Sequence, residues 1–182
     1  VKRHIEISTQ AIDRCKQMVE NGQHVFVVLD SLTRLGRAFN RSGKHANSGR
    51  TLSGGIDSKA LEVPKRIFGA ARNTEEGGSL IVATCLVDTG SQGDQVIFEE
   101  FKGTGNMELI LDRKIAEKRL FPAINLAASG TRKDDKLIGA EPLKTITALR
   151  RRMMNMPPPQ QVEQLLAALA RFETNEGLVG KA

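Results

Sequence analysis

The chain has 182 residues, of which 40% are hydrophobic and 26% charged, as expected for one globular core with at most a small appendage. It has no Trp or Tyr and only seven Phe, which argues against a nucleic-acid surface built from many stacked aromatic rings. The formal net charge of +6 favours polyanionic partners without requiring one. No apolar segment reaches the roughly 18 residues that a membrane span needs. Cys15 and Cys85 are expected to be free thiols in a reducing cytoplasm.

The predicted elements alternate between helices and strands along the chain. Apolar spacing predicts helices over residues 4–20, 32–39, 56–73, 96–102, 113–119, 143–154 and 162–172. Apolar runs predict strands over residues 25–29, 79–86, 107–111 and 122–125. Such alternation is typical of an α/β fold with a mostly parallel sheet flanked by helices, here with a helical carboxyl-terminal tail.

One candidate site follows the first predicted strand. Val25–Leu29 is an unbroken apolar run, which predicts a parallel strand buried on both faces, and Asp30 follows it directly. Ligands of open α/β sheets bind at the carboxyl ends of the strands, where nucleotide hydrolases hold Mg²⁺ with an Asp. A helix-capping Asp is the alternative. No segment of the sequence fits the phosphate-loop pattern G-x-x-x-x-G-K-[ST].

Two polar loops and one basic turn complete the candidate surfaces. Residues 40–55 contain four Gly together with Arg41, Lys44, His45 and Arg50, and residues 88–93 form a second loop after a strand. Glycine lets a backbone approach phosphates closely and Arg or Lys neutralises them, although a solvated, mobile loop remains the alternative. In the turn at 130–133, Arg132 is either an exposed cation or an arginine finger.

Nine segments, taken together and in order, resemble a known family. They are LDSLTRL at 29–35, GGID at 54–57, PKRIFGAARN at 64–73, EEGGSL at 75–80, DTGS at 88–91, EEFKGTGNMEL at 99–109, RKIAEKR at 113–119, FPAI at 121–124 and SGTRK at 129–133. The chain resembles the Rho family of bacterial transcription termination factors from about residue 3 to residue 156.

This resemblance implies a partial RecA-like P-loop NTPase domain over residues 1–156 and a helical tail over 157–182. It implies a parent that is a homo-hexameric, ATP- and Mg²⁺-dependent helicase. That parent would move along single-stranded RNA, act on the RNA polymerase transcription complex in the cytoplasm and need no membrane. The phosphate loop, the catalytic Glu and an RNA-binding domain would precede Val1. The chain alone is therefore expected not to hydrolyse ATP.

The resemblance also implies roles for individual residues near the nucleotide. Asp30 resembles the acid on the Mg²⁺ side, and Phe121 resembles the ring that stacks on adenine, with a core Phe as the alternative. Arg132 resembles an arginine finger that acts at the next subunit's ATP, and Arg119 a second arginine at that interface. Arg34 is expected to link the acid strand to the adjoining loops.

A second set of implied roles concerns RNA. Ser48, Gly49 and Arg50 correspond to a Ser-Gly-Lys in the pore loop that grips RNA, so Arg50 replaces a point cation with a planar fork. Gln92 stands where the second pore loop of the family has Lys, and the charge of Lys44 or Arg41 is expected to replace the lost one. Two other classes stay open: another RecA-like ring ATPase, such as a rotary synthase catalytic subunit, and an RNA-binding or interaction module without catalysis.

Overall fold

The computed structural model describes residues 1–180. These residues fall into two compact units that divide between Gly105 and Asn106. The predicted domain boundary at residue 156 follows the extent of the family resemblance and stays a prediction. Within residues 1–180, none of the helices combines the length and apolarity that crossing a bilayer requires.

The first unit is built around a short parallel sheet. Its elements are α1 (Lys2–Glu20), β1 (Val25–Leu29), α2 (Leu32–Asn40), β2 (Thr51–Leu52), β3 (Ile56–Asp57), α3 (Glu62–Phe68), β4 (Ser79–Ala83) and α4 (Gln92–Phe101). β1 pairs with β4 in parallel, with Val25 opposite Ser79 and Leu29 opposite Ala83. β2 and β3 form a small antiparallel hairpin around a 3₁₀ turn at Ser53–Gly55. The predicted α/β class is confirmed, and the part of the chain that the structure describes has two strands in the parallel sheet.

The second unit is mainly helical. Its elements are β5 (Met107–Glu108), α5 (Arg113–Glu117), β6 (Gly130–Thr131), α6 (Ala140–Met153), α7 (Pro158–Leu169) and α8 (Asn175–Val179). β5 and β6 pair in antiparallel fashion. Its core joins Ile115 of α5 to Ala123 and to Val162 of α7. The helical tail predicted over 157–182 is present as α7 and α8, and residues 181 and 182 lie outside the described residues.

Among residues 1–180, helices cover one face of the parallel sheet and leave the other exposed, so the prediction that β1 is buried on both faces is wrong. Leu29 and Ile81 pack under α1, α2 and α3, in the cluster of Ile12, Leu35, Phe39, Ile67 and Ala70. The alternate residues point outwards: Phe26 is 62% exposed and Val28 68% exposed, and Leu80 and Val82 are exposed beside them. An apolar run buries both faces of a strand only where layers lie on both sides, and the described helices supply one layer.

Several predicted element boundaries also differ from the structure, among them those of the strands predicted over 79–86 and 107–111, which end at Ala83 and Glu108. The helix predicted over 56–73 is limited to α3, because Pro64 fits only the first turn of a helix and Gly69 ends it. The helix predicted from residue 96 starts at Gln92, where the Ser91 side chain accepts a hydrogen bond from Asp94 N–H at 3.3 Å. The strand predicted over 122–125 is a single bridge between Ile124 and Leu111.

Candidate functional site

Asp30 lies at the carboxyl end of β1, where the sequence predicts it. Its exposed side chain accepts a hydrogen bond at Oδ1 from Thr84 Oγ1, at 2.7 Å. Thr84 follows β4 and is held by its backbone, which donates to Leu29 O and accepts from Leu32 N. The Asp30–Ser31 peptide bond is cis. Sequence reasoning missed Thr84, although a polar residue at the end of a neighbouring parallel strand was the available signal.

The chemistry around Asp30 fits a partial Mg²⁺ site. Mg²⁺ in phosphate-transfer sites is held by one or two carboxylates together with phosphate oxygens and water. Asp30 offers one such carboxylate, oriented by the Thr84 hydroxyl. Within residues 1–180, no group of three or more His, Cys, Asp and Glu side chains is arranged to hold a metal by itself. Asp30 therefore suits an ion that arrives with a nucleotide.

Helix α2 starts immediately after Asp30 and is anchored at its first turn. Ser31 caps the helix by accepting a hydrogen bond from Arg34 N–H at 3.2 Å, and the Arg34 side chain is exposed. The buried Thr33 hydroxyl accepts from Leu86 N–H at 2.9 Å and lies 3.4 Å from Cys85 Sγ. Burial raises the pKa of the Cys85 thiol, so this cysteine is a protonated, structural group.

The other end of α2 is joined to the second polar loop by a charged pair. Arg37 donates to both carboxylate oxygens of Asp94, at 2.8 Å and 2.6 Å, and Thr89 Oγ1 donates to Asp94 Oδ2 at 2.8 Å. The Asp94 side chain is 3% exposed and that of Arg37 50% exposed. Sequence reasoning missed this pair, although Asp94 three residues after Ser91 is typical of a helix start. The loop at 88–93 is thus fixed relative to α2.

The first polar loop is ordered at its base by a network around Asp57. Ser48 N–H donates to Asp57 Oδ2 at 3.0 Å, and Lys59 N–H donates to Asp57 Oδ1 at 2.8 Å. Ser48 Oγ accepts from Arg50 N–H and from Ser58 Oγ. Asn40, at the end of α2, binds Asp57 N–H and Gly55 O. The predicted residues Ser48, Gly49 and Arg50 therefore form a defined turn on which the Arg50 side chain is exposed.

The charge of Asp57 is expected to make this loop sensitive to acid. Desolvation raises the pKa of Asp57, but hydrogen bonds from Lys59 and Ser48 lower it, and the net pKa lies below the ordinary value of 3.8. A lowered pKa stabilises the folded state above that ordinary value and loses this contribution as the pH falls through the folded-state pKa. The wild type is therefore expected to be more stable than Asp57→Asn at neutral pH, and the difference to shrink below pH 3.8. Chemical unfolding of both proteins across this range measures it, and a difference independent of pH would contradict the role of the charge.

The two polar loops meet at their glycines. Gly54 has φ +73°, and a Cβ at this position would lie 2.5 Å from the carbonyl carbon of Gln92 and 2.6 Å from Cα of Gly93. The structure therefore brings the loop carrying Lys44 and Arg50 against the loop carrying Gln92. The side chains of Lys44 and Gln92 are exposed.

Two of the residues predicted near the nucleotide lie in the loop that follows α5. Arg119 has φ +59°, its side chain is exposed, and its N–H donates to Ala116 O at 2.9 Å. Phe121 is 59% exposed, which excludes the alternative of an ordinary core Phe within this chain. The Phe121–Pro122 peptide bond is cis. Both side chains are accessible, and their assigned roles stay predictions.

Arg132 combines a fixed backbone with an exposed side chain. It directly follows β6, whose Thr131 pairs with Met107 of β5, and its own N–H donates to Asn106 O at 2.8 Å. The next residue, Lys133, adopts the left-handed conformation with φ 52° and ψ 44°. The guanidinium of Arg132 is thus presented to solvent from an ordered strand end.

Structural comparison relates this architecture to solved ATPases. The chain is similar to a prototypical ATPase from the type III secretion system of pathogenic bacteria, with a TM-score of 0.72 and 21% identity over 93% of this chain and 47% of that one. It is also similar to the ATPase EscN of enteropathogenic E. coli, with a TM-score of 0.57 and 21% identity over 82% of this chain and 33% of that one. These likenesses confirm the predicted RecA-like α/β fold.

Sequence comparison is more specific, although no protein-family model matches the chain. The chain is 52% identical to transcription termination factor Rho of Borreliella burgdorferi, over 96% of this chain and 34% of that protein. It is 55% identical to Rho of Streptomyces lividans over 94% of this chain and 24% of that protein, and 51% identical to Rho of Pseudomonas aeruginosa over 96% and 41%. The predicted resemblance is confirmed: the chain is related along nearly its whole length to the transcription termination factors called Rho, and it spans between 24% and 41% of these relatives.

Proposed function

We propose that this sequence works as the carboxyl-terminal part of a ring-shaped, ATP-driven RNA translocase that ends transcription. Its parent would be a homo-hexamer that moves along single-stranded RNA and acts on the RNA polymerase transcription complex. The identity of 51–55% to Rho proteins over at least 94% of the chain supports this assignment. The activity itself belongs to the parent, because the chain spans less than half of the relatives' length.

The nucleotide side of the proposed mechanism uses residues at exposed, ordered positions. Asp30, oriented by Thr84, would hold Mg²⁺ with the phosphates of ATP, and the ion would supply positive charge to the transferring phosphoryl group. Phe121 would stack on the adenine. Arg132 and Arg119 would stabilise the charge that develops at the neighbouring subunit's ATP. Hydrolysis would then depend on a correctly closed subunit interface.

The RNA side uses the two joined loops. Lys44 and Arg50 would neutralise phosphates of the RNA backbone. Ser48, Gly49 and Gln92 would lie close to the bound RNA. One observation carries the link between the two sides: α2 begins beside Asp30 and holds Asp94 through Arg37 near its other end. With nine residues at about 1.5 Å each, the helix spans about 13 Å. Arg34, on its first turn, would contribute to the same link.

ATP hydrolysis by the parent tests the proposal, measured with and without cytidine-rich single-stranded RNA. We expect strong stimulation by RNA. In parallel, Arg50→Ala should weaken RNA binding and reduce the slope of log affinity against log salt by about 0.7 for each lost phosphate contact. Arg171→Ala, an exposed cation in the second unit, is the matched control and should leave the slope unchanged. Steady hydrolysis that ignores RNA would contradict the termination-factor assignment.

We also propose that the chain alone does not turn over ATP, because its sequence has no phosphate-loop pattern. Hydrolysis by the purified chain that disappears in Asp30→Asn would contradict this proposal. RNA binding by the chain without any turnover in the parent would favour the non-catalytic module instead.

A further inference from the structure

The backbone that leads to Arg132 is a turn built from its own hydrogen bonds. Asn125 N–H donates to Ile110 O at 2.8 Å, and Ser129 N–H donates to Asn125 O at 3.0 Å. The Ser129 hydroxyl accepts from Ile110 N–H at 2.9 Å. The bonds to Ile110 therefore hold both the start and the end of the 125–129 turn. The turn ends three residues before Arg132.

A single arginine closes the same turn from helix α6. Nη2 of Arg150 donates to Leu126 O at 2.9 Å and to Ser129 O at 3.0 Å. The Arg150 side chain is half-buried, whereas its neighbours Arg151 and Arg152 are exposed. Hydrogen bonds from a charged donor are roughly twice as strong as neutral ones. Arg150 thus binds the turn through two carbonyl groups that belong to different residues.

The segment between this turn and Arg132 needs such anchoring, because packing does not restrain it. It contains Gly130, and a Cβ added at this residue would have no other atom within 4 Å. The carboxyl-terminal end of this segment is fixed by the strand pairing of Gly130 with Glu108 and by the hydrogen bond from Arg132 N–H to Asn106 O. Its amino-terminal end is fixed at Ser129, whose carbonyl group accepts a hydrogen bond from Arg150.

We propose that Arg150 is a positioning residue for Arg132: it holds the 125–129 turn and so fixes the point from which the Arg132 guanidinium projects. This inference rests on the proposed function, in which Arg132 acts on a neighbouring subunit's ATP. A catalytic cation acts through geometry, and a misplacement of about 1 Å can cost about a hundredfold in rate. Arg150 itself touches neither nucleotide nor RNA in this scheme.

The test compares Arg150→Ala with Arg151→Ala in the full-length parent, since both remove one arginine from the same turn of α6. We expect Arg150→Ala to lower the RNA-stimulated kcat by about tenfold to a hundredfold at unchanged KM for ATP. Arg151→Ala should keep the wild-type kcat. Arg150→Lys, which offers a single point donor, should fall between the two. Amide exchange at residues 126–132 should be faster in Arg150→Ala than in Arg151→Ala.

A double variant separates positioning from a general structural role. If Arg150 acts through Arg132, adding Arg150→Ala to Arg132→Ala should cause no further loss of kcat. The inference would be overturned if Arg150→Ala and Arg151→Ala lowered kcat equally and if each loss added to that of Arg132→Ala. The role of Arg132 would be unaffected by that result. An Arg132→Ala protein with full activity would overturn the proposed function of Arg132, and the inference with it.

Discussion

Replacing Arg132 with Ala is expected to lower the RNA-stimulated kcat of the parent by about a thousandfold or more, the usual contribution of an arginine finger. The physical reason is that the cation meets charge that develops only in the transition state, so the affinity for ATP should change little. Arg132→Lys keeps the charge but loses the planar fork, and its activity should recover only in part. Arg113→Ala, an exposed arginine of the same unit, is the control and should keep full activity.

Mixing two inactive variants tests whether Arg132 acts across a subunit interface. Rings assembled from Arg132→Ala and Asp30→Asn subunits contain some interfaces with an intact Asp30 on one side and an intact Arg132 on the other. If the arginine acts in trans, hydrolysis should reappear on mixing. If both residues serve the same subunit's nucleotide, every site in the mixed ring carries a defect. No recovery of hydrolysis in mixed rings of confirmed composition would contradict the trans role.

The second large effect is expected from Gly54→Ala. Gly54 has φ +73°, which costs an L-residue about 1–2 kcal/mol, and the added Cβ would overlap the backbone of Gly93 and the carbonyl carbon of Gln92. Relieving such an overlap costs about a further 1–3 kcal/mol. Because the overlap lies where the two loops meet, RNA affinity should fall together with stability. Chemical unfolding and RNA titration measure the two losses.

Gly55→Ala is the matched control for this substitution. Gly55 has φ +77°, and a Cβ there would meet no atom within 4 Å, so the variant carries the conformational cost without the overlap. The difference between the two variants therefore isolates the contact between the loops. Equal losses of stability in the two variants would mean that Gly54 does not pack against Gly93 in solution.

Much of the fold is predictable because local periodicity decides it. The apolar spacing of α1 and the apolar run of β1 predict both elements to within two residues. The helix predicted over 56–73 is too long because Gly69 ends α3 and because Asn40 holds Asp57 N–H in a strand, so that the helix starts only at Glu62. The exposure of Phe26 and Val28 could not be predicted from the sequence either, because an apolar run does not show how many layers of helices cover the strand.

The candidate site also combines features that local sequence predicts with contacts that it does not predict. The position of Asp30 after a strand is a local property, and the structure has it there. The partners that orient the site are far away in sequence: Thr84 for Asp30, Asp94 for Arg37 and Arg150 for Ser129. Local spacing places Thr84 and Asp94 at the ends of elements, but it does not predict which distant residue each of them binds. The chemical roles of side chains such as Asp30 stay predictions from the sequence, while the structure identifies the partners that hold them.

The parallel pairing of β1 with β4 also bears on how the protein is made. Val25 pairs with Ser79, so the ribosome has to add all the residues between them before the sheet can close. At roughly 5–20 residues per second, β1 waits about three to ten seconds for its partner. During this time α1, α2 and α3, which all precede β4 in the chain, can cover one face of β1, and its other apolar side chains stay exposed. Slowing translation between these two strands would lengthen the period in which the nascent chain is exposed to aggregation and to chaperones.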